Sequence, residues 1–300
     1  MGKRVYVLKK RLNLNESSGA DSEIVRVAGE QAERIFDGFR DGRKFYTDNV
    51  TLHVTTPYPI DGRTEFEYGV EIEADEYGDL NVGGGDCENM VYGYLNFGYT
   101  AFKIRVNLRG KRWRSRSAKA VIADTLAHEL MHTKTQLIGA SIKRKDEEQG
   151  RVKNASEMLT QDMPEDGNAS YPAYFLSPDE MASYTQGMYM YMRECVRDLV
   201  KAKGRKPTDR ERREIFVKSW EWRRYKRALE DLDRLGYEEA DEFLHSGELG
   251  VGISNGQAKK IMGVSSPDDL IRYLRKNAKD MELKLIKAAY RGYVDGLNKE

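Results

Sequence analysis

The chain has 300 residues, with 50 Lys and Arg against 49 Asp and Glu, a net charge of +1, and 39% hydrophobic and 10% aromatic residues. So many aromatics and only 7 prolines exclude a disordered or linker-like protein, and the near-neutral balance excludes a uniformly basic or acidic one. No run of 18 apolar residues occurs, so no membrane-spanning helix is expected.

Met1 to Leu14 interleaves Lys and Arg with apolar residues and lacks the continuous apolar core of a secretory signal, so the chain reads as cytoplasmic. Gly2 begins no myristoylation motif, because Tyr6 stands where Ser or Thr is needed. Cys87 and Cys195 are far apart and without CxxC companions, which points to reduced thiols and not to a disulfide framework or zinc ribbon.

In chain order, Ile24, Ala28, Ala32, Ile35 and Phe39 recur at helical spacing over 21–39, and Gly42 helps end that helix. Strands follow. Val50, Leu52 and Val54 alternate with polar residues, and Phe66, Tyr68, Val70 and Ile72 alternate with Glu65, Glu67, Glu71 and Glu73. Gly83 to Gly85 read as a hairpin loop; the nearby acids lack calcium-loop spacing and no helix start follows to cradle a phosphate. Phe102, Ile104, Val106 and Leu108 form the clearest strand. Ser117 to Leu137 reads as a long helix with Gly139 at its end, 140–176 as irregular, and Ser177 with Pro178 as the start of a helix toward Leu199. After a basic linker at Gly204 and Pro207 come a helix from Thr208 to Leu235, a glycine-rich break at 249–256 and a terminal helix from Pro267. In that last helix Leu270, Leu274, Ala278, Met281 and Leu285 form an apolar stripe. The elements predict an α+β fold.

The chemistry concentrates in Thr125-Leu126-Ala127-His128-Glu129-Leu130-Met131-His132. Residues four apart on a helix face the same way with Cβ atoms about 5–6 Å apart, so His128 and His132 can direct two imidazoles at one zinc ion. Glu129 then projects beside the ion as a general base for water activated there. With 4 His in the chain, a shuffled sequence would carry this spacing roughly once in two hundred. The neighbours Val121, Ile122, Leu126 and Leu130 mark a helix with little exposed surface, where two unpartnered histidines would be costly.

This string resembles the signature of the zincin metallopeptidases, His-Glu-x-x-His, over Thr125 to Thr133; Lys134 departs from the hydrophobic residue usual at that point. The resemblance implies a twisted sheet ahead of the signature helix, with an edge strand that pairs with an extended substrate. The strands between 50 and 109 are the candidates, with 102–109 as the strand aligning the substrate. It also implies a third protein ligand. A metzincin ligand is absent, because Thr135 and Ile138 occupy the positions of the required Gly and His. Glu180, 48 residues after His132 in Ser177-Pro178-Asp179-Glu180-Met181-Ala182-Ser183-Tyr184, is similar to the glutamate of the second helix of gluzincins. The resemblance thus implies a zinc site of His128, His132 and Glu180.

Ser177-x-x-Glu180 also spells a capping box, which gives Glu180 a competing local role. Tyr184 stands where many gluzincins carry an Asp that orients the first His. Asp179, Glu165, His53 and His245 are rival ligands. The oxyanion stabiliser is to be sought among Tyr171, Tyr174 and Tyr184, and Tyr184 shares a helix face with Glu180, Gly187 and Tyr191.

Asp61 to Glu88 holds ten acidic residues and one basic, whereas Lys103 to Arg116 holds seven basic and no acidic ones. The second run leads into the zinc helix and could draw acidic substrate segments. Residues 201–227 carry twelve basic and four acidic residues around Trp220 and Trp222, a composition compatible with weak nucleic-acid contact or with a solvated face. Gly252 to Ala258 is weakly similar to a helix-hairpin-helix turn.

The expectation is a zincin-like catalytic domain over 1–203 and a charged helical region over 204–300 that packs on it or binds a partner. The expected activity is zinc-dependent hydrolysis of a protein or peptide substrate, with Glu129 and Tyr184 catalytic and no membrane association. The alternative is a nucleic-acid-associated or structural protein with a non-catalytic zinc site.

Overall fold

A computed structural model describes residues 21–60, 62–75, 85–90, 101–108, 118–148, 170–245 and 264–298. They form an α+β protein: α1 (Ser22–Arg40), β1 (Phe45–Ile60), β2 (Arg63–Asp75), β3 (Gly85–Met90), β4 (Ala101–Asn107), α2 (Ala118–Glu148), α3 (Ser170–Phe175), α4 (Pro178–Lys203), α5 (Asp209–Lys218), α6 (Trp220–Arg234), α7 (Tyr237–His245) and α8 (Pro267–Leu297).

α1 starts where the Asp21 carboxylate accepts from the amides of Glu23 and Ile24, both at 3.1 Å, and its predicted apolar stripe is buried throughout. The chain leaves it at Gly42, whose φ of 95° suits a residue without a Cβ. The four strands lie in the order β1-β2-β4-β3, with β1 and β3 antiparallel to their neighbours and β2 parallel to β4. Leu52 and Val54, Tyr68, Val70, Ile72 and Ala74, and Phe102, Ile104 and Val106 point inward, toward the side covered by α1 and α2.

On the outer face the parallel register sets Glu71 beside Lys103 and Glu73 beside Arg105. Lys103 Nζ lies 3.6 Å from Glu71 and 2.5 Å from Glu73, and Arg105 Nε lies 3.2 Å from Glu73. The acidic and basic runs of the sequence therefore neutralise one another, in part, across two strands.

Several sequence expectations need correction. The strand at 101–107 is bonded on both sides, to β2 and β3, and cannot align a substrate along a free edge; among the described residues the sheet's edges are β1 and β3. β3 escaped sequence reading because Asp86, Glu88 and Asn89 spoil any apolar alternation. Gly139 does not stop its helix. The flanking Leu137, Ile138 and Ile142 keep the helix packed, and one interior glycine costs only about 1 kcal/mol, so α2 runs on to Glu148. Residues 170–175 are helical, not irregular. The segment 208–235 is two helices, because Ser219 adopts an extended conformation and caps α6 by accepting from the Trp222 amide at 3.2 Å. Gly85, expected in a hairpin loop, belongs to β3, which pairs with β4 and not with β2; residues 83–84, the expected loop at 249–256, the helix-hairpin-helix likeness at 252–258 and Cys87's side chain lie outside the described residues.

α8 packs along α4, α5 and α6 also touch α4, and α7 packs on α8. Leu270, Leu274, Ala278, Met281 and Leu285 of α8 are buried as their stripe predicts, together with Tyr225, Ala228 and Leu232 of α6. α8 crosses α4 closely at Gly292. A Cβ there would sit 2.3 Å from the Tyr189 carbonyl oxygen and 3.1 Å from the Arg193 nitrogen, backbone atoms that cannot yield. No helix among the described residues is long and apolar enough to cross a membrane.

Gly292→Ala is expected to destabilise the protein by about 1–3 kcal/mol in urea unfolding, the ordinary range for overpacking. Gly69→Ala, where a Cβ meets nothing within 4 Å, is the matched control and should change stability by about 0.5 kcal/mol or less. Equal effects at the two positions would contradict this packing.

Candidate metal centre

α2 is apolar on nearly every side: Ala118, Ala120, Ile122, Ala123, Leu126, Ala127 and Leu130 are all buried between the sheet and α4. Its register against the sheet is pinned by the Tyr68 hydroxyl, 2.9 Å from Thr133 Oγ1. With α2 so fixed, His128 and His132 present their Nε2 atoms 3.0 Å apart. Lys134, the departure noted in the sequence, is buried and reaches Asp21 Oδ2 and Glu23 Oε2 at 2.9 Å each, tying α2 to the start of α1. Burial raises the Glu23 pKa, but hydrogen bonds from His53 and Lys134 outweigh it and hold the carboxyl below its ordinary value.

α4 brings the third donor. Ser177 caps the helix by accepting from the Glu180 amide at 3.3 Å, while the Glu180 carboxylate is turned toward the histidines. Oε1 lies 3.3 Å from His132 Nε2 and Oε2 lies 3.6 Å from His128 Nε2. The cap and the donor role thus use different atoms of one residue. Tetrahedral zinc with bonds of about 2.0–2.2 Å would separate its donors by about 3.3–3.6 Å, close to the spacing found here. Glu180 Oε2 is buried and accepts no hydrogen bond from the protein, as expected of an oxygen reserved for a cation. His128 has its pKa pushed well down, by burial first and then by His132 and Arg224, which favours the neutral imidazole that a metal requires. These three residues fit a divalent ion, and they form the one His/Cys/Asp/Glu cluster of that kind among the described residues.

Glu129, beside His128 on α2, is buried. Tyr184, one turn beyond Glu180, packs its ring edge-on against His128 with centroids 4.5 Å apart, and its hydroxyl oxygen accepts from Arg224 Nη1 at 2.8 Å. The Tyr174 hydroxyl is set against Glu180, and burial and that carboxylate push its pKa far up. The rival histidines do not enter the cluster. His53 is exposed between Glu23 at 2.6 Å and Glu67 at 2.8 Å, and His245 pairs with Asp241 at 3.1 Å. Glu165 and the side chains of Tyr171 and Asp179 lie outside the described residues.

Three residues near the site were missed by sequence reasoning: Asp124, Glu221 and Arg224. Asp124 and Glu221 are buried carboxyl groups that meet where α2, α4 and α6 converge, and Gly187 makes room for them. A Cβ on Gly187 would lie 2.4 Å from Asp124 Oδ1 and 2.7 Å from Glu221 Oε1. Burial and the neighbouring Glu221 raise the Asp124 pKa well above its ordinary value, and burial raises that of Glu221, whose two carboxylate oxygens have no hydrogen-bond partner. Glu221 lies in a charged run and gave no signal of burial, whereas Asp124 lies in the apolar stretch 120–127, a signal that could have found it together with the small residue at 187. In the same region burial pushes the Cys195 thiol up to about 12, which keeps it a neutral thiol. The basic segment 201–227 is laced with ion pairs, among them Arg205 with Glu211 at 2.8 Å and Arg210 with Glu214 at 2.9 Å.

No protein-family model matches the chain, and no curated protein or solved structure matches it.

Because Asp124 has a raised pKa in the folded state, its contribution to stability is full below the ordinary carboxylate range and is lost as pH rises through the folded value. Urea unfolding of the parent and of Asp124→Asn across pH 5 to 8 should diverge. The parent should lose up to about 1.4 kcal/mol per pH unit relative to the variant while Asp124 titrates. Superimposable profiles would show that Asp124 is not protonated in the fold.

Proposed function

We propose that this protein is a zinc-dependent metallopeptidase with a zincin-like, gluzincin-like catalytic architecture. The observation that carries the reading is the convergence of His128, His132 and Glu180 from two helices on one point, at separations suited to tetrahedral zinc, with Glu129 adjacent to the first ligand. The mixed sheet packed against α2 supports it, with β3, an antiparallel edge strand among the described residues, as the candidate to pair with an extended peptide.

His128, His132 and Glu180 would hold the ion. Zinc, when bound, supplies Lewis acidity toward water and the scissile carbonyl. Glu129 takes the proton of the attacking water and returns it to the departing amine, so one carboxylate serves as base and then as acid. The Tyr184 phenol donates toward the oxygen on which negative charge grows. The substrate is a protein or peptide.

Elemental analysis of the purified protein should give one zinc per chain, lost in Glu180→Ala. Glu129→Gln should keep the zinc and lose at least about a hundredfold in cleavage of casein or a peptide library, the usual contribution of a positioned base. Undiminished cleavage by Glu129→Gln would reject the peptidase mechanism, and full zinc retention by Glu180→Ala would move the third ligand elsewhere.

A further inference from the structure

Arg224 belongs to the basic segment that the sequence alone would assign to a solvated face, yet it is half-buried and turned inward. Its Nη1 donates to the Tyr184 hydroxyl oxygen at 2.8 Å, and its guanidinium carbon lies 4.4 Å from the centre of the Trp220 ring. Tyr184 in turn sets its ring against His128. The guanidinium is therefore held by an aromatic face on one side and a phenol oxygen on another.

The helix that carries it is equally constrained. Glu221, three residues before Arg224 on α6, is fully buried at the Gly187 junction, and Tyr225, Ala228 and Leu232 of the same helix lie in the core. Arg224 thus projects from a rigid element whose register against α4 is set by buried groups.

We propose that Arg224 is a positioning residue of the metal centre, acting through Tyr184. The inference rests on the metallopeptidase reading. A phenol oxygen has one proton and two lone pairs; with an Arg N–H on the oxygen, the Tyr184 proton must point to another side. A cationic donor at that oxygen also polarises the O–H bond and strengthens it as a hydrogen-bond donor. Tyr184 is then oriented before charge develops on a substrate, and a preoriented donor stabilises that charge without reorganising. Lysine cannot replace Arg224 fully, because a compact ammonium lacks the planar fork that stacks on Trp220 while donating to the phenol.

The test combines steady-state cleavage of a peptide by zinc-loaded protein with tyrosine near-UV difference spectra of metal-free protein. The variants are Arg224→Met, Arg224→Lys, Tyr184→Phe and the Met/Phe double variant, each with zinc content measured. Arg224→Met is expected to keep one zinc and to lose at least about tenfold in kcat with KM within about threefold, and Arg224→Lys to recover only part of the loss. Tyr184→Phe should lose at least as much, and the double variant should be no slower than Tyr184→Phe, because both changes remove one interaction. In metal-free protein Arg224→Met should perturb the tyrosine spectrum, and the same change in the Tyr184→Phe background should not. Unchanged kcat in Arg224→Met, losses that multiply in the double variant, or a spectral change that persists without the Tyr184 hydroxyl would each overturn the proposal. Should Arg224→Met fail to fold, Arg224→Lys carries the same comparisons. A parent that binds zinc but cleaves nothing would defeat the peptidase reading instead, and the spectra would still decide whether Arg224 acts on Tyr184.

Discussion

The arrangement depends on the close approach of α2 to α4. Two histidines one turn apart are a local property of α2, but a third donor has to come from another helix, and Glu180 reaches them only because α4 lies almost against α2. Gly187 permits this. Two turns beyond Glu180, it leaves no Cβ where the Asp124 and Glu221 carboxyls meet. The three donors, the Tyr184 ring and the Arg224 guanidinium follow from that one crossing.

The crossing is polar where a hydrophobic contact would be simpler. Two ionised carboxylates buried together would be strongly unfavourable, and burial raises both carboxyls above their ordinary values, which favours their neutral forms at this junction. Glu221 thereby draws the start of α6 into the junction, and α6 delivers Arg224. On the far side of α2, Lys134 with Asp21 and Glu23 ties the same helix to α1, and Glu23 also holds His53 of β1. Polar ties thus hold α2 from both sides, while its apolar surface fills the space beneath the sheet. A helix held so firmly can keep two imidazoles in one orientation, which is what preorganised metal binding requires.

Much of this was legible in the sequence wherever a signal is local. The spacing of His128 and His132, the apolar stripe of α8, the start of α4 at Ser177 and Pro178, and the alternation in β4 depend on periods of 3.6 or 2 and on capping chemistry. Glu180 was legible through its resemblance to a second-helix glutamate, although the same four residues also form a cap. What could not be read depends on tertiary contact. β3 has too many polar residues to announce itself, and its pairing with β4 shows only in the fold. Glu221 and Arg224 look like members of a charged helix and lie inward because α6 docks edgewise at Gly187. Gly139 looked like a stop signal and is overruled by the packing of the residues around it. Ser219 hid a helix start within a charged run.

The proposed site places two imidazoles and one carboxylate around a single zinc ion. X-ray absorption spectroscopy of the zinc-loaded protein tests it most directly. Ligation by His128, His132 and Glu180 gives a first shell of nitrogen and oxygen donors only, at about 2.0–2.2 Å, with outer-shell scattering from two imidazole rings. A sulfur donor at about 2.3 Å, or the scattering of one ring or none, would contradict it.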